Sequence, residues 1–403
     1  MTDISPSLAI LGARVLDVDT ATFHEQDVHV RDGRVVALGE HDGPDPDVVV
    51  EGHGRVVVPG LIDAHFHAYG IGLDMLAMEA TPMSYVTAKA AQRLGGALRR
   101  GFTTVRDVAG GDIGLRRALD EGLFAGPRYL FTGPALSQTG GHGDPRPGDL
   151  AIDTCCHRLT EVVDGVDNLR VAVRERFRTG AHAIKVMTSG GVVSLTDPLR
   201  VPQYSAEEVR TVCDEATRRG SYVAAHAYSP EAIAHSVVNG VRSIEHGNLL
   251  DAKTAQLMAQ HDAMLVPTLA AYDAMDRRGD SLGLTSVQKA KNLEVLHHGK
   301  QAIEIATDAG VPVGFGSDLM GDLEDDQLVG LRLQVEVQGA LEALRSATTV
   351  NASLLGRPDL GRVAVGAVAD LLLLDADPIE DPSVLWEESR RTVISGGRYL
   401  ASV

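Results

Sequence analysis

The sequence predicts an α/β protein: a (β/α)8 TIM barrel flanked by a small β-sandwich that both chain ends build together. Three observations lead there. Eight apolar, strand-like runs recur in the middle of the chain with helical stretches after most of them, over roughly the 250 residues that such a barrel occupies. Both ends instead carry short valine-rich runs broken by turn residues. The candidate metal ligands, His65, His67, Lys185, His226, His246 and Asp318, fall at or near the C-terminal ends of central runs, the edge where barrels place their active sites.

Taken in order, residues 1–58 alternate apolar and polar positions, as in Ala13-Arg14-Val15-Leu16-Asp17-Val18 and in the stretch from Asp27 to Leu38. Period-two patterning interrupted by Asp32-Gly33 marks β-hairpins. Residues 359–403 behave alike, through Gly366 to Asp375 and Val393 to Arg398. Neither end has enough apolar residues to bury a core alone, so the two are expected to combine, and the chain enters and leaves one central domain at 59–358. Within it the strand-like runs are Leu61 to His67, Phe102 to Val108, Tyr129 to Thr132, Ala183 to Met187, Tyr222 to His226, Val241 to His246, Met264 to Thr268 and Val311 to Asp318. Ser205 and Glu208, three residues apart ahead of an apolar helical pattern, form a capping box that starts one of the intervening helices. A doubly wound open sheet would show fewer strands and a glycine-rich phosphate loop, and no such fingerprint is present.

Composition narrows the function classes. Lys and Arg number 37 against 55 Asp and Glu, a net charge of −18, which argues against nucleic acid as a partner. The N-terminus has no basic segment followed by an apolar one, and no run approaches the length of a membrane span, so a soluble, cytoplasmic protein with a small-molecule substrate is expected. The three cysteines, Cys155, Cys156 and Cys213, lack disulfide or metal-knuckle spacing and read as reduced and incidental, the adjacent pair in a loop.

Lys185 is the most demanding residue. It sits inside Ala183-Ile184-Lys185-Val186-Met187, where a strand carries it into the interior, and an unpaired buried ammonium costs several kcal/mol or loses its proton. His65, His67, His226, His246 and Asp318 end similar runs and together form a ligand set for two divalent metals. If the neutral amine of Lys185 reacts with carbon dioxide, the resulting carbamate is a carboxylate-like group able to bridge both ions. His65 and His67 are two apart, so a strand points both to one face. Taken singly, each histidine reads as a surface or satisfied core residue and Asp318 as a helix N-cap. Jointly those readings fail, because they need five polar residues and a buried lysine to occupy five apolar strands by accident.

The run Val58-Pro59-Gly60-Leu61-Ile62-Asp63-Ala64-His65-Phe66-His67, followed in order by Lys185, His226, His246 and Asp318, resembles the amidohydrolase superfamily with a binuclear metal centre, and the resemblance extends over nearly all of the chain. It implies that His65, His67 and Asp318 bind one ion and His226 and His246 the other. Carboxylated Lys185 and a hydroxide then bridge them. Zinc is the implied metal, since it suits imidazole and carboxylate ligands. Paired ions bring the pKa of a bridging water close to neutrality, and Asp318 is placed to take the proton as hydroxide attacks and to deliver it to the leaving nitrogen.

Ser137-Gln138-Thr139-Gly140-Gly141-His142-Gly143-Asp144, Thr188-Ser189-Gly190-Gly191 and His226-Ala227-Tyr228 resemble the subgroup related to imidazolonepropionase. That subgroup contains Xaa-Pro and Xaa-Arg dipeptidases and hydrolases of N-acyl amino acids and arylureas. In it His142 and Tyr228 correspond to positions that face the substrate. On the residues alone, His142 also reads as a histidine of a glycine-rich turn and Tyr228 as a packed rim aromatic. Arg106-Asp107 reads as a structural ion pair with neighbouring loops, and His297-His298 lacks strand-end context. The expected activity is hydrolysis of the amide bond of dipeptides or N-acyl amino acids by a binuclear zinc enzyme that self-associates, as barrels of this family often do. Hydrolysis of a non-peptide amide, carbamate or urea, of xenobiotic or mycotoxin type, is the enzymatic alternative. A non-catalytic scaffold on the same fold is the other, though such proteins usually lose ligands that this chain keeps. Loops after strands one, three, seven and eight, such as Tyr69 to Met78 and Ala270 to Leu284, are expected to set specificity.

Overall fold

A computed structural model describes residues 7–146, 159–195 and 197–400. The chain opens with β1 (Leu8–Asp17), β2 (Thr22–Arg31), β3 (Arg34–Leu38), β4 (Val48–Glu51) and β5 (Val56–Pro59). Next comes β6 (Leu61–Phe66), which leads through helices α1 (Met75–Ala80) and α2 (Met83–Arg99) to β7 (Phe102–Asp107), α3 (Ile113–Asp120) and β8 (Arg128–Phe131). Two short strands, β9 (Ala135–Ser137) and β10 (Thr160–Val162), precede α4 (Val166–Arg178) and β11 (Ile184–Met187). A strand-helix alternation continues through α5 (Ala206–Thr217), β12 (Val223–Ala227), α6 (Pro230–Val238), β13 (Ser243–His246), α7 (Ala252–Gln260) and β14 (Met264–Val266). After α8 (Leu269–Arg278), α9 (Ser286–Asp308) and α10 (Gln327–Gln338), the chain returns to strands β15 (Leu371–Leu374), β16 (Arg391–Ser395) and β17 (Arg398–Leu400).

The two chain ends do combine. Their strands hydrogen-bond into one eight-stranded sheet in the order β17-β16-β15-β5-β1-β2-β3, with β4 alongside β1. Alternation explains why the sheet holds: Val57, Leu371 and Leu373 face a core shared with Leu8, Ile10 and Val15. Val56, Val58, Leu372 and Leu374 face the other way, onto Leu94, Phe102 and Phe315 of the central segment. Full burial is worth about 1.5–3 kcal/mol per large aliphatic side chain, so this sheet is anchored to the centre through one of its two apolar faces.

Seven of the eight predicted runs are parallel strands, divided between a sheet β6-β7-β8 and a sheet β10-β9-β11-β12-β13-β14. Backbone bonds link the two sheets at both ends. The His182 N–H donates to the Phe131 carbonyl at 2.7 Å, joining the approach to β11 to β8. On the far side, Gly314 N donates to Leu265 O at 2.8 Å, while Ala64 N donates to Phe315 O at 2.9 Å. The eighth run, Val311 to Asp318, thus lies between β14 and β6, yet it makes only one ladder bridge, at Val313. Its departure from a regular strand has a steric cause: a Cβ on Gly316 would sit 2.5 Å from the Cβ of His65, so the backbone passes closer to β6 than a side chain allows. Parallel strands interleaved with helices in this way are consistent with a TIM barrel.

Helix starts are written locally. Ser205 and Glu208 make the predicted capping box, with Glu208 N donating to Ser205 Oγ at 3.3 Å and Ser205 N to Glu208 Oε2 at 2.9 Å. Thr285 and Gln288 make a second one at the start of α9. Among the described residues no helix is long and apolar enough to cross a membrane. Cys213 is free and buried, and burial pushes its thiol up to about 12, which leaves it inert at neutral pH. Cys155 and Cys156 lie outside the described residues.

Candidate metal centre and active site

His65, His67, His142, Lys185, His226, Tyr228, His246 and Asp318 all line a single cavity. The parallel strands deliver them: β6 carries His65 and leads into His67, β11 carries Lys185, β12 carries His226 and leads into Tyr228, and β13 ends on His246. Asp318 Oδ1 lies 2.9 Å from His67 Nε2 and 3.3 Å from His65 Nε2, and its Oδ2 lies 3.7 Å from His246 Nδ1. Ligand atoms of His65, His246 and Asp318 fall within 4.8 Å of one another. His226 joins this group through its ring, 4.5 Å from that of His246. Asp318 is not a helix N-cap: its carboxylate meets these imidazoles.

Two site residues carry backbone strain. His246 and Asp318 adopt φ values of 73° and 53°, in the left-handed region. Such conformations cost about 1–3 kcal/mol each in a residue with a Cβ, and they persist where the surroundings enforce them, commonly at functional sites. At both positions the turn ends the strand-like segment.

Lys185 is buried, and its Nζ has no hydrogen-bond partner among the described residues. Burial pulls its pKa down to about 8, against the opposing pull of Glu245 and Asp318. An amine at that value is neutral in about one molecule in ten at pH 7, which is the form able to take up carbon dioxide. Burial, reinforced by the neighbouring His142 and His246, holds His226 well below the usual imidazole range; burial does the same to His246. Both are therefore neutral ligand-type imidazoles. Burial alone would raise Asp318, but the charge and hydrogen bonds of His65, with a hydrogen bond from His67, keep its carboxyl well below the carboxylate norm. A buried amine, neutral imidazoles and an ionised carboxylate form a donor set that fits a metal site.

Several supporting residues escaped the sequence reading. Glu245 Oε2 accepts from His65 Nδ1 at 2.7 Å, which leaves the Nε2 of His65 turned toward Asp318. The Gly190 carbonyl, 3.1 Å from His226 Nε2, fixes that ring so that Nδ1 is free for a ligand. His246 Nδ1 lies 2.8 Å from both the Thr268 and the Tyr272 hydroxyls. Arg106 corrects an expectation. It is fully buried and pairs not with a neighbouring loop but with Glu245, at 2.7 Å, while donating to the Ala64 carbonyl at 2.5 Å. A signal for this existed: Arg106 and Glu245 are opposite charges in apolar strands, as awkward alone as Lys185.

His142 is buried against His226, with ring centroids 4.2 Å apart, and its Nδ1 lies 2.8 Å from Ser194 Oγ. Tyr228 stacks on His246, and its hydroxyl lies 2.8 Å from that of Tyr272. The rest of the cavity wall is mostly apolar, with Leu73 and Met75 after β6, Met275 on α8, and Met320 and Leu323 beyond Asp318, beside the hydroxyl-bearing Thr160 and Tyr272. Val192 and Val193, from the loop after β11, also contribute, a wall that the sequence reading did not anticipate. His297 and His298 lie exposed on α9, away from the cavity.

The description "amidohydrolase family" belongs to the family model that matches residues 56–400 of this chain. Ochratoxinase of Aspergillus niger is 32% identical over 372 residues, covering 86% of this chain and 75% of that protein. Among solved structures, a prolidase complexed with N-methylphosphonate-L-proline is 42% identical with a TM-score of 0.94, covering 98% of this chain and 99% of that one. A Xaa-Pro dipeptidase with methionine bound in its active site is 29% identical with a TM-score of 0.87, covering 98% of this chain and all of that one. Kinship on this scale, together with the clustered His, Lys and Asp side chains, leads to one conclusion: the chain belongs to the amidohydrolase family and has dipeptidase-like relatives.

Proposed function

We propose that this chain is a binuclear, zinc-dependent hydrolase that cleaves the amide bond of dipeptides or N-acyl amino acids. One observation carries the reading: eight side chains singled out for this chemistry line one cavity, around a buried lysine amine without a hydrogen-bond partner among the described residues. The prolidase and Xaa-Pro dipeptidase relatives support the substrate class. His65, His67 and Asp318 would hold one ion and His226 and His246 the other, with carboxylated Lys185 between them. When bound, such ions supply a water that ionises near neutral pH and an electrophile for the substrate carbonyl. Asp318 receives the proton of the attacking water on its carboxylate and passes it to the leaving nitrogen. His142 and Tyr228 orient the substrate, and the Leu, Met and Val walls keep bulk water from the scissile bond. The same proposal takes residues 59–358 as a (β/α)8 barrel and residues 1–58 with 359–403 as a flanking β-sandwich.

A second reading has its own support. Ochratoxinase is the relative at 32% identity, which favours a non-peptide or xenobiotic amide as the substrate of the same centre. Zinc-loaded protein incubated with pooled dipeptides and N-acyl amino acids, with released amino acids quantified, separates the two. We expect turnover of free acids, and loss of it when the C-terminus of the best substrate is amidated. A site built to pair a buried polar group rejects analogues lacking it by on the order of 10⁴-fold. His142→Ala should narrow that discrimination. Equal hydrolysis of the amidated analogue, or turnover of carbamates and arylureas alone, removes the dipeptidase reading in favour of the second.

A further inference from the structure

The loop after β11 contributes Val192 and Val193 to the cavity wall, and the N-terminal half of α9 grips it from outside. Gln288, Lys291 and Glu294 recur every three residues and so share one helix face. Gln288 Nε2 donates to the Val193 carbonyl at 2.7 Å, and Glu294 Oε1 accepts from Arg200 Nη2 at 2.7 Å. Lys291 lies between them. An ammonium has three N–H donors, and Nζ reaches three backbone carbonyls of this one loop: Gly191 at 3.0 Å, Ser194 at 2.8 Å and Asp197 at 2.8 Å. Its side chain is 14% exposed.

The pinned loop in turn fixes His142. Ser194 Oγ lies 2.8 Å from His142 Nδ1, and Asp197 Oδ2 lies 3.8 Å from the same atom. Gln203 ties the arrangement together, donating to Asp197 Oδ2 at 3.2 Å and accepting from the His142 backbone N–H at 3.0 Å. Gly191 runs so close to the His142 ring that a Cβ there would sit 2.0 Å from it. Release of the Gly191 and Ser194 carbonyls therefore frees both the ring's hydrogen-bond partner and the backbone packed against its face.

We propose that Lys291 is a positioning residue, which sets the His142 imidazole for substrate by holding the loop after β11 in place. The inference rests on the reading that His142 meets the substrate. Its test uses the metal-loaded full-length protein, with Lys291→Met and, as a milder second variant that keeps an amide donor, Lys291→Gln. Hydrogen exchange of the amides from Gly191 to Leu195 should quicken in Lys291→Met and to a lesser degree in Lys291→Gln, with the exchange of β12 and β13 unchanged. The His142 imidazole resonances in ¹⁵N-histidine-labelled protein, assigned through His142→Ala, should shift. With a hydrolysed amide substrate, KM should rise roughly tenfold at near-constant kcat, the pattern of lost uniform binding. That rise should vanish in the His142→Ala background, because coupled residues are non-additive. Unchanged loop exchange, an unmoved His142 signal, or effects of the two substitutions that simply add would each overturn the proposal. Absence of hydrolysis in the parent protein would instead count against the hydrolase reading, while exchange and resonance still decide the role of Lys291.

Discussion

Asp318→Asn lowers kcat by roughly 10²–10⁴-fold, the usual cost of removing general acid–base catalysis. Asparagine matches aspartate in shape, so the variant still places an oxygen beside His65 and His67, where Asp318 Oδ1 now lies 3.3 and 2.9 Å from their Nε2 atoms. Metal content is therefore partly preserved. What the amide cannot do is accept a proton and give it back. The carboxyl of Asp318 is held well below its normal range, so it stands ionised and ready as a base at neutral pH. Steady-state kinetics beside elemental analysis make the measurement. A variant with near wild-type kcat would mean that the proton travels by another residue.

Lys185→Ala loses most activity while the protein stays folded. Nζ makes no hydrogen bond among the described residues and faces the cavity, so truncation leaves no described partner unpaired. On the proposed reading the loss is that of a bridging carbamate, and short carboxylic acids added to the variant should restore part of the activity by occupying its place. Direction with pH follows from the amine. Because the pKa is lowered to about 8 and only the neutral form reacts with carbon dioxide, reconstitution of metal-free protein with zinc and bicarbonate should improve as pH rises from 7 through 8. An alanine variant with full activity and both ions retained would exclude the carbamate.

The sequence exposed the parts of this site that are locally unusual. Lys185 interrupts an apolar strand, His65 and His67 share a strand face, and Asp318 closes a glycine-rich run. Each breaks a local rule, and such breaks are readable without a fold. Partners assembled across the structure were not readable in this way. Glu245 finds Arg106 and His65 from 139 and 180 residues away, and Tyr272 meets Tyr228 and His246 from the start of α8. The charges of Arg106 and Glu245 stand out in apolar runs, but nothing in their immediate neighbours says which residue each of these side chains meets. The same limit applied to the fold. The long alternating runs at both ends identified the end sheet, whereas β9 and β10, three residues each, are too short to show a period. Val311 to Asp318 reads as a strand by composition but bends away from the ladder because Gly316 must pass His65.

The proposed hydrolase activity turns on whether the cavity holds a pair of ions. Protein expressed with zinc and bicarbonate, freed of loosely bound metal and measured for both elemental content and amide hydrolysis, answers this. About two divalent ions per chain are expected, with activity lost on chelation and regained with zinc. A reproducible content near zero in protein that hydrolyses its substrate would contradict the account.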